Sequence, residues 1–164
     1  KLTKSDQRPL TSLKKRALYY LGKREYSRAE LRKKISAYAA SLDIDKHEIE
    51  IMLSDLESNA WLSDKRFAEQ YIFSKKIKYG IKKIAYELKI RGVNELIISE
   101  AIGSIRAEEF SLAQAIWKKK FKGPPQDNQE KIKQIRFLQG RGIDSSVIQK
   151  ILSGKSFEYY ENVN

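Results

Sequence analysis

Apolar residues recur along the chain at spacings of three and four, the period that lays a stripe down one side of an α-helix. Ala17, Leu18 and Leu21 begin the pattern. Leu31, Ile35 and Tyr38 continue it behind Ser27 and Glu30, whose Ser-x-x-Glu spacing predicts a capping box in which each side chain satisfies a free backbone N–H. A third helix carries Ile49, Met52, Leu53 and Leu56, with Asp43 or Asp45 as its cap. Ser63 and Asp64 cap a fourth with Phe67, Ala68, Tyr71 and Ile72, and Gly80 is expected to end it through a positive φ. Ile84 and Leu88 mark the next, closed by Gly92. Asn94 caps one bearing Ile98, Ile102 and Ile105. Phe110, Ala113, Trp117 and Phe121 share a further face, which Gly123-Pro124-Pro125 stops because proline cannot continue the hydrogen-bond ladder. Ile132, Ile135 and Leu138 follow Asp127 or Asn128 and lead to Gly142. Asp144 or Ser145 caps a last helix with Val147, Ile148, Ile151 and Leu152. No stretch alternates at period two, so no sheet is expected.

The pattern repeats at a spacing of about 50 residues, as in helical repeat arrays. Leu88-x-x-Arg91-Gly92-Val93 with Ile98 and Ile102 matches Leu138-x-x-Arg141-Gly142-Ile143 with Ile148 and Leu152 without a gap. A weaker first copy runs Ile35, Ile44, Ile49, Leu53, with a few extra residues before Ile44. Short helices are marginal alone and must stack to bury their stripes. The expected fold is all-α: three tandem three-helix repeats forming an elongated, slightly curved rod. Its repeats span residues 13–59, 60–107 and 108–156, between a polar N-terminal tail (1–12) and a C-terminal tail (157–164).

Charge changes this picture. Thirty-three Lys and Arg against 21 Asp and Glu give a net charge of +12, which implies a polyanionic or acidic partner. The excess is uneven. Lys65, Arg66, Lys75, Lys76, Lys78, Lys82, Lys83, Lys89 and Arg91 crowd the middle of the chain. Lys118, Lys119, Lys120, Lys122, Lys131, Lys133, Arg136 and Arg141 form a second tract. Residues 43–57 are acidic. Lysine outnumbers arginine in the tight clusters Lys75–Lys83 and Lys118–Lys122, which suits diffuse charge contact better than bidentate base reading. Contact with phosphates would weaken steeply with salt. Of the aromatic residues interleaved with these tracts, Trp117 and Tyr71 fall on apolar stripes and belong to the core. Tyr79, beside Gly80, is a candidate for exposed contact.

Catalytic chemistry finds few parts. There are no cysteines, so disulfides, thiolate nucleophiles and cysteine metal sites are excluded. The single histidine, His47, stands among Asp43, Asp45, Glu48 and Glu50, where carboxylates simply favour a helix N-terminus. With one histidine, His-dependent triads and most transition-metal sites are incomplete. No phosphate-binding loop occurs, and Gly140 with Gly142 lacks the third glycine and the preceding strand of a dinucleotide fingerprint. Neither enzymatic activity, a cofactor nor a metal is expected. No apolar run approaches a membrane span, the N-terminus lacks the apolar stretch of a signal peptide, and a reducing cytoplasm fits.

The same residues resemble the RecX family of regulatory proteins, over nearly the whole chain from about Ala17 to Leu152. The first unit has Arg24, Ser27, Glu30-Leu31 and Lys34. The second has Leu62, Asp64, Arg66-Phe67-Ala68 and Tyr71, then Lys78, Gly80, Ile84, Glu87-Leu88 and Gly92-Val93. The third has Phe137-Leu138 and Arg141-Gly142-Ile143. One departure is Ala60, where members of the family often carry glycine before the aromatic residue. The resemblance implies tandem three-helix repeats, a cytoplasmic location, and binding to the filament of the RecA recombinase; a monomer is expected. Such binding would suppress ATP hydrolysis, strand exchange and filament growth, and so modulate recombination, DNA repair and the SOS response. It also implies that Asp64, Arg66, Phe67, Ala68, Tyr71, Gly80, Leu88, Gly92, Arg141 and Gly142 maintain the architecture. Candidate contacts with the filament, or with its single- or double-stranded DNA, are Lys75, Lys76, Lys78, Lys82, Lys83, Lys89, Arg91, Lys118, Lys119, Lys120, Lys122, Arg136 and Arg141. The rival reading is an autonomous nucleic-acid-binding repeat protein. A membrane-surface role is a distant third, because the aromatic residues are committed to cores.

Overall fold

A computed structural model describes residues 7–154; the first half of the N-terminal tail segment and all of 157–164 lie outside them. The described residues are helical, without a strand. They form α1 (Gln7–Leu21), α2 (Arg28–Ser41), α3 (Lys46–Ser58), α4 (Asp64–Lys75), α5 (Ile81–Ile90), α6 (Glu95–Gly103), α7 (Glu109–Lys120), α8 (Asn128–Gly140) and α9 (Ser145–Leu152), with a short 3-10 turn over Arg106–Glu108. The first helix begins ahead of the apolar pattern, within the stretch read as a tail, and buries Leu13 as well as Ala17.

Two compact units emerge. One takes in the described residues up to Gln70 together with Leu88–Ile97, and the other takes in Tyr71–Glu87 and the described residues from Ile98 onward. The core of the first is built by α1, α2 and α3 around Leu13, Leu31, Ile35, Leu53 and Leu56. In the second, α7, α8 and α9 pack Trp117, Leu138, Ile143, Ile148 and Ile151 together.

Three helices end in the same way, and this corrects the alignment of the first repeat. The N–H of Val93 donates to Leu88 O and that of Ile143 to Leu138 O, both at 3.2 Å. Each bond spans a left-handed residue, Gly92 (φ +76) or Gly142 (φ +77), the signature of a helix C-terminal motif. In the first repeat the N–H of Ile44 donates to Ala39 O at 3.1 Å, across Asp43 at φ +56. The partner of Leu88 and Leu138 is therefore Ala39, not Ile35. From Ala39 the series Ile44, Ile49, Leu53 has no extra residues. An alanine at that position, where the others have leucine, hid the match.

Several caps differ from expectation. Ser27 accepts from the Glu30 N–H at 3.0 Å, but the Glu30 carboxylate turns to Arg24 and Arg91 instead of completing a box. The reciprocal box forms at Asp45 and Glu48. Asp64 begins α4, and its carboxylate accepts from the Arg28 N–H at 2.7 Å, so it caps α2. Gly80 does not end α4, which stops at Lys75, and its φ is not positive. It precedes α5, and glycine is needed there for a different reason given below. On α8, Ile132 is exposed. Gln134 is buried in its stead, accepting from the Trp117 indole N–H at 2.7 Å and donating to Gly123 O. Phe121 lies one residue past α7 in extended backbone and meets Phe137 edge-on.

Candidate functional site

The second unit gathers most of the basic residues singled out above, and a main-chain latch joins the segments that carry four of them, Lys78, Lys82, Lys83 and Arg141. The Gly80 N–H donates to Arg141 O at 2.8 Å, and the Lys82 N–H donates to Gly142 O at 3.1 Å. A Cβ on Gly80 would lie 2.5 Å from Gly142 O, and one on Gly142 would lie 2.4 Å from Lys83 Cβ. Both glycines are thus demanded by close approach, and Gly142 by its φ as well. The first unit repeats the device: Ser27 Oγ donates to Arg91 O at 2.6 Å, and a Cβ on Gly92 would lie 2.5 Å from that of Ala29. The shared Arg-Gly pair, legible in the sequence as a helix stop, is also the seat for the start of a helix about 60 residues earlier.

The latch brings members of the two basic tracts together. Arg141 donates to Lys78 O at 3.3 Å, and its guanidinium lies over the rings of Tyr79 (5.6 Å) and Phe137 (5.1 Å). Lys83 places its ammonium 4.4 Å from the Tyr79 ring centre. Tyr79 is consequently half-buried beneath two cations, where the sequence suggested a free contact residue. Among the described residues no carboxylate comes within ion-pair distance of Lys78, Lys83 or Arg141. Two positive charges on one aromatic ring without an acidic partner constitute a local surplus that an anion would relieve.

Lys82 is placed differently. Its ammonium lies 2.7 Å from the Asp144 carboxylate, which also caps α9 by accepting from the Ser146 N–H and hydroxyl. Lys82 first, and Ser146 after it, hold the Asp144 carboxyl well below the usual carboxylate range. Beside this pair opens a cleft of about 620 Å³, with Lys82, Lys83 and the exposed Tyr86 on one wall and Gly140, Gly142 and Ser145 on the other.

The remaining candidates are dispersed. Lys75 lies over the Tyr71 ring at 5.7 Å, and Lys76 pairs with Glu108 at 3.1 Å. Lys118, Lys119 and Lys120 fill the last turn of α7 and, with Lys122 just beyond, are exposed, as is Arg136 on α8. Lys89 and Arg91 belong to the first unit, paired with Glu95 at 2.5 Å and Glu30 at 3.5 Å. Of the residues expected to maintain the architecture, Phe67, Ala68 and Leu88 are buried, and Tyr71 is half-buried. Arg66 bonds Glu25 at 2.8 Å and the Trp61 carbonyl at 3.3 Å. The described residues bring no three His, Cys, Asp or Glu side chains together as a metal site, and none of their helices is long and apolar enough to cross a membrane.

Comparison with known proteins places this geometry in a family. Residues 63–102 match the RecX second three-helix domain, and residues 107–152 match the RecX third three-helix domain. The chain is 40% identical to the regulatory protein RecX of Ralstonia nicotianae over 87% of both chains. The chain belongs to the RecX family. A second RecX, the regulatory protein from Chromobacterium violaceum, is 38% identical over 92% of this chain and 96% of its own. The fold is shared with the crystal structure of RecX from Lactobacillus salivarius, with a TM-score of 0.77 over 91% of this chain and 97% of that one at 20% identity. Both sequence relatives are regulatory proteins by name. The latch between Gly80 and Gly142 joins the residues matched to the second RecX domain with those matched to the third.

Proposed function

We propose that this RecX-family protein binds the RecA nucleoprotein filament, without enzymatic chemistry of its own, and restrains its ATP hydrolysis, strand exchange and growth. It would thereby modulate recombination and the SOS response from the cytoplasm, as a monomer. The observation that carries the reading is the basic cluster of the second unit, Lys78, Lys83 and Arg141 around Tyr79, in a chain whose relatives are regulatory proteins. A filament presents both phosphates and acidic protein surface to such a cluster. The exposed lysines at the end of α7 would supply a second contact.

The test is the filament ATPase. Substoichiometric protein added to RecA on single-stranded DNA is expected to lower the hydrolysis rate. No inhibition, combined with tight binding to naked DNA, would sink the proposal and favour an autonomous nucleic-acid-binding protein. That second reading has its own support in the open cleft, where the exposed Tyr86 ring stands beside Lys82 and Lys83, the pairing of aromatic platform and cation that single strands use.

A further inference from the structure

Within the second unit, Tyr71–Glu87 contains five lysines and no carboxylate before Glu87. Its solvent side is nevertheless not purely polar. Phe73 is 75% exposed and Ile77 54%. The backbone keeps winding helically past the end of α4, since the Lys76 N–H donates to Ile72 O and the Tyr79 N–H to Lys75 O. Ile77 therefore lies one turn beyond Phe73, the two side chains on the same face. Neighbouring Ile72 supplies the buried side of this turn at 3% exposure, so the outer pair is not needed for the core. Lys78 follows directly, exposed and without a carboxylate partner.

The geometry points to Phe73 and Ile77 as the apolar anchor of a docking surface for an acidic protein segment that carries large apolar side chains. Burying an aromatic ring and a branched aliphatic side chain together is how protein interfaces concentrate their affinity. The five lysines of this segment outnumber the acidic groups near it, Glu69 one turn earlier on α4 and Glu108 paired with Lys76, and the excess selects a partner of opposite charge. A nucleic acid fits less well, because its bases stack on aromatic faces and Ile77 offers none. This deepens the filament reading by naming the face that would meet a protein subunit, but the surface can be tried without the filament.

Two arms separate the possibilities. In the first, the full chain is titrated against three labelled probes: a peptide of alternating Glu and Leu, the same peptide with Ser for Leu, and oligothymidylate. The Glu/Leu peptide is expected to bind at least tenfold tighter than the Glu/Ser peptide. The Phe73→Ser, Ile77→Ser double variant should erase that difference while keeping its oligothymidylate affinity within twofold. Equal binding of the two peptides, or a tenfold loss confined to oligothymidylate, would overturn the inference. In the second arm the double variant should inhibit the RecA filament ATPase at least tenfold less well. Ile51→Ser, an equally exposed change in the first unit, should inhibit normally. If the unaltered chain does not inhibit at all, the filament reading falls, and the peptide arm still decides the surface. Both positions are exposed, so an unchanged thermal melt separates lost binding from lost folding.

Discussion

Ala60 adopts φ +58 at the end of α3, a conformation that costs a residue with a Cβ about 1–2 kcal/mol. Asp43 does the same at φ +56, where the equivalent turns use Gly92 and Gly142. Replacing Ala60 by glycine should raise stability by about 0.5–1 kcal/mol, the strain relieved less the entropy that glycine adds to the unfolded chain. Asp43→Gly should give less, since aspartate tolerates this region better. Urea unfolding of the two variants measures the order. Gly80 behaves oppositely. Its φ is ordinary, and a substituent is barred by the carbonyl of Gly142 at 2.5 Å. Gly80→Ala should cost about 1–3 kcal/mol, the range for an overpacked contact, and Gly142→Ala should cost more because strain adds to the clash. The sequence marked both glycines but assigned Gly80 the wrong reason, because close approach between turns far apart in the chain leaves no local trace.

At the level of helices, the periodic pattern located each α-helix of the described residues but not the 3-10 turn at Arg106–Glu108, since apolar stripes and caps are local signals. What escaped it were side chains that serve a neighbour: Asp64 capping α2, and Gln134 buried beneath Trp117. A polar residue inside an apolar stripe reads as surface until its partner is known. The cap of α9 has a pH signature. Asp144 titrates below its ordinary range because Lys82, and then Ser146, stabilise the charged form. Its contribution is therefore fully present above the usual carboxylate range and is lost as pH falls toward the lower folded-state value. Asp144→Asn keeps a neutral acceptor for the cap but loses the ion pair. The melting temperature of the variant should lie below that of the parent chain near neutral pH, and the gap should narrow as pH drops below about 4. A gap that stays constant through acid would show that the ion pair contributes nothing.

For the molecule as a whole, net charge and repeat spacing announced a basic helical array, and the family motifs announced the RecX family. Which lysines are available could not be read from the chain, because Lys76 and Lys82 are engaged by Glu108 and Asp144 while Lys78 and Lys83 have no carboxylate. Reversing Lys78 and Lys83 to Glu should weaken filament binding and flatten its salt dependence by about one unit of slope for each phosphate contact removed. An unchanged slope across a salt titration would place the contact elsewhere. Reversing Lys82 instead would also disturb the α9 cap, so a loss of binding there would not report contact alone. The bond between Gly80 and Arg141 carries a last consequence, for synthesis. Its acceptor is translated about 60 residues after its donor, which at ribosomal rates of about 5–20 residues per second is roughly 3–12 s later. During that interval the lysine-rich turn has emerged but its seat has not. The growing chain thus displays its most basic segment unlatched, beside a ribosome made largely of RNA, until α8 and the Arg-Gly pair arrive.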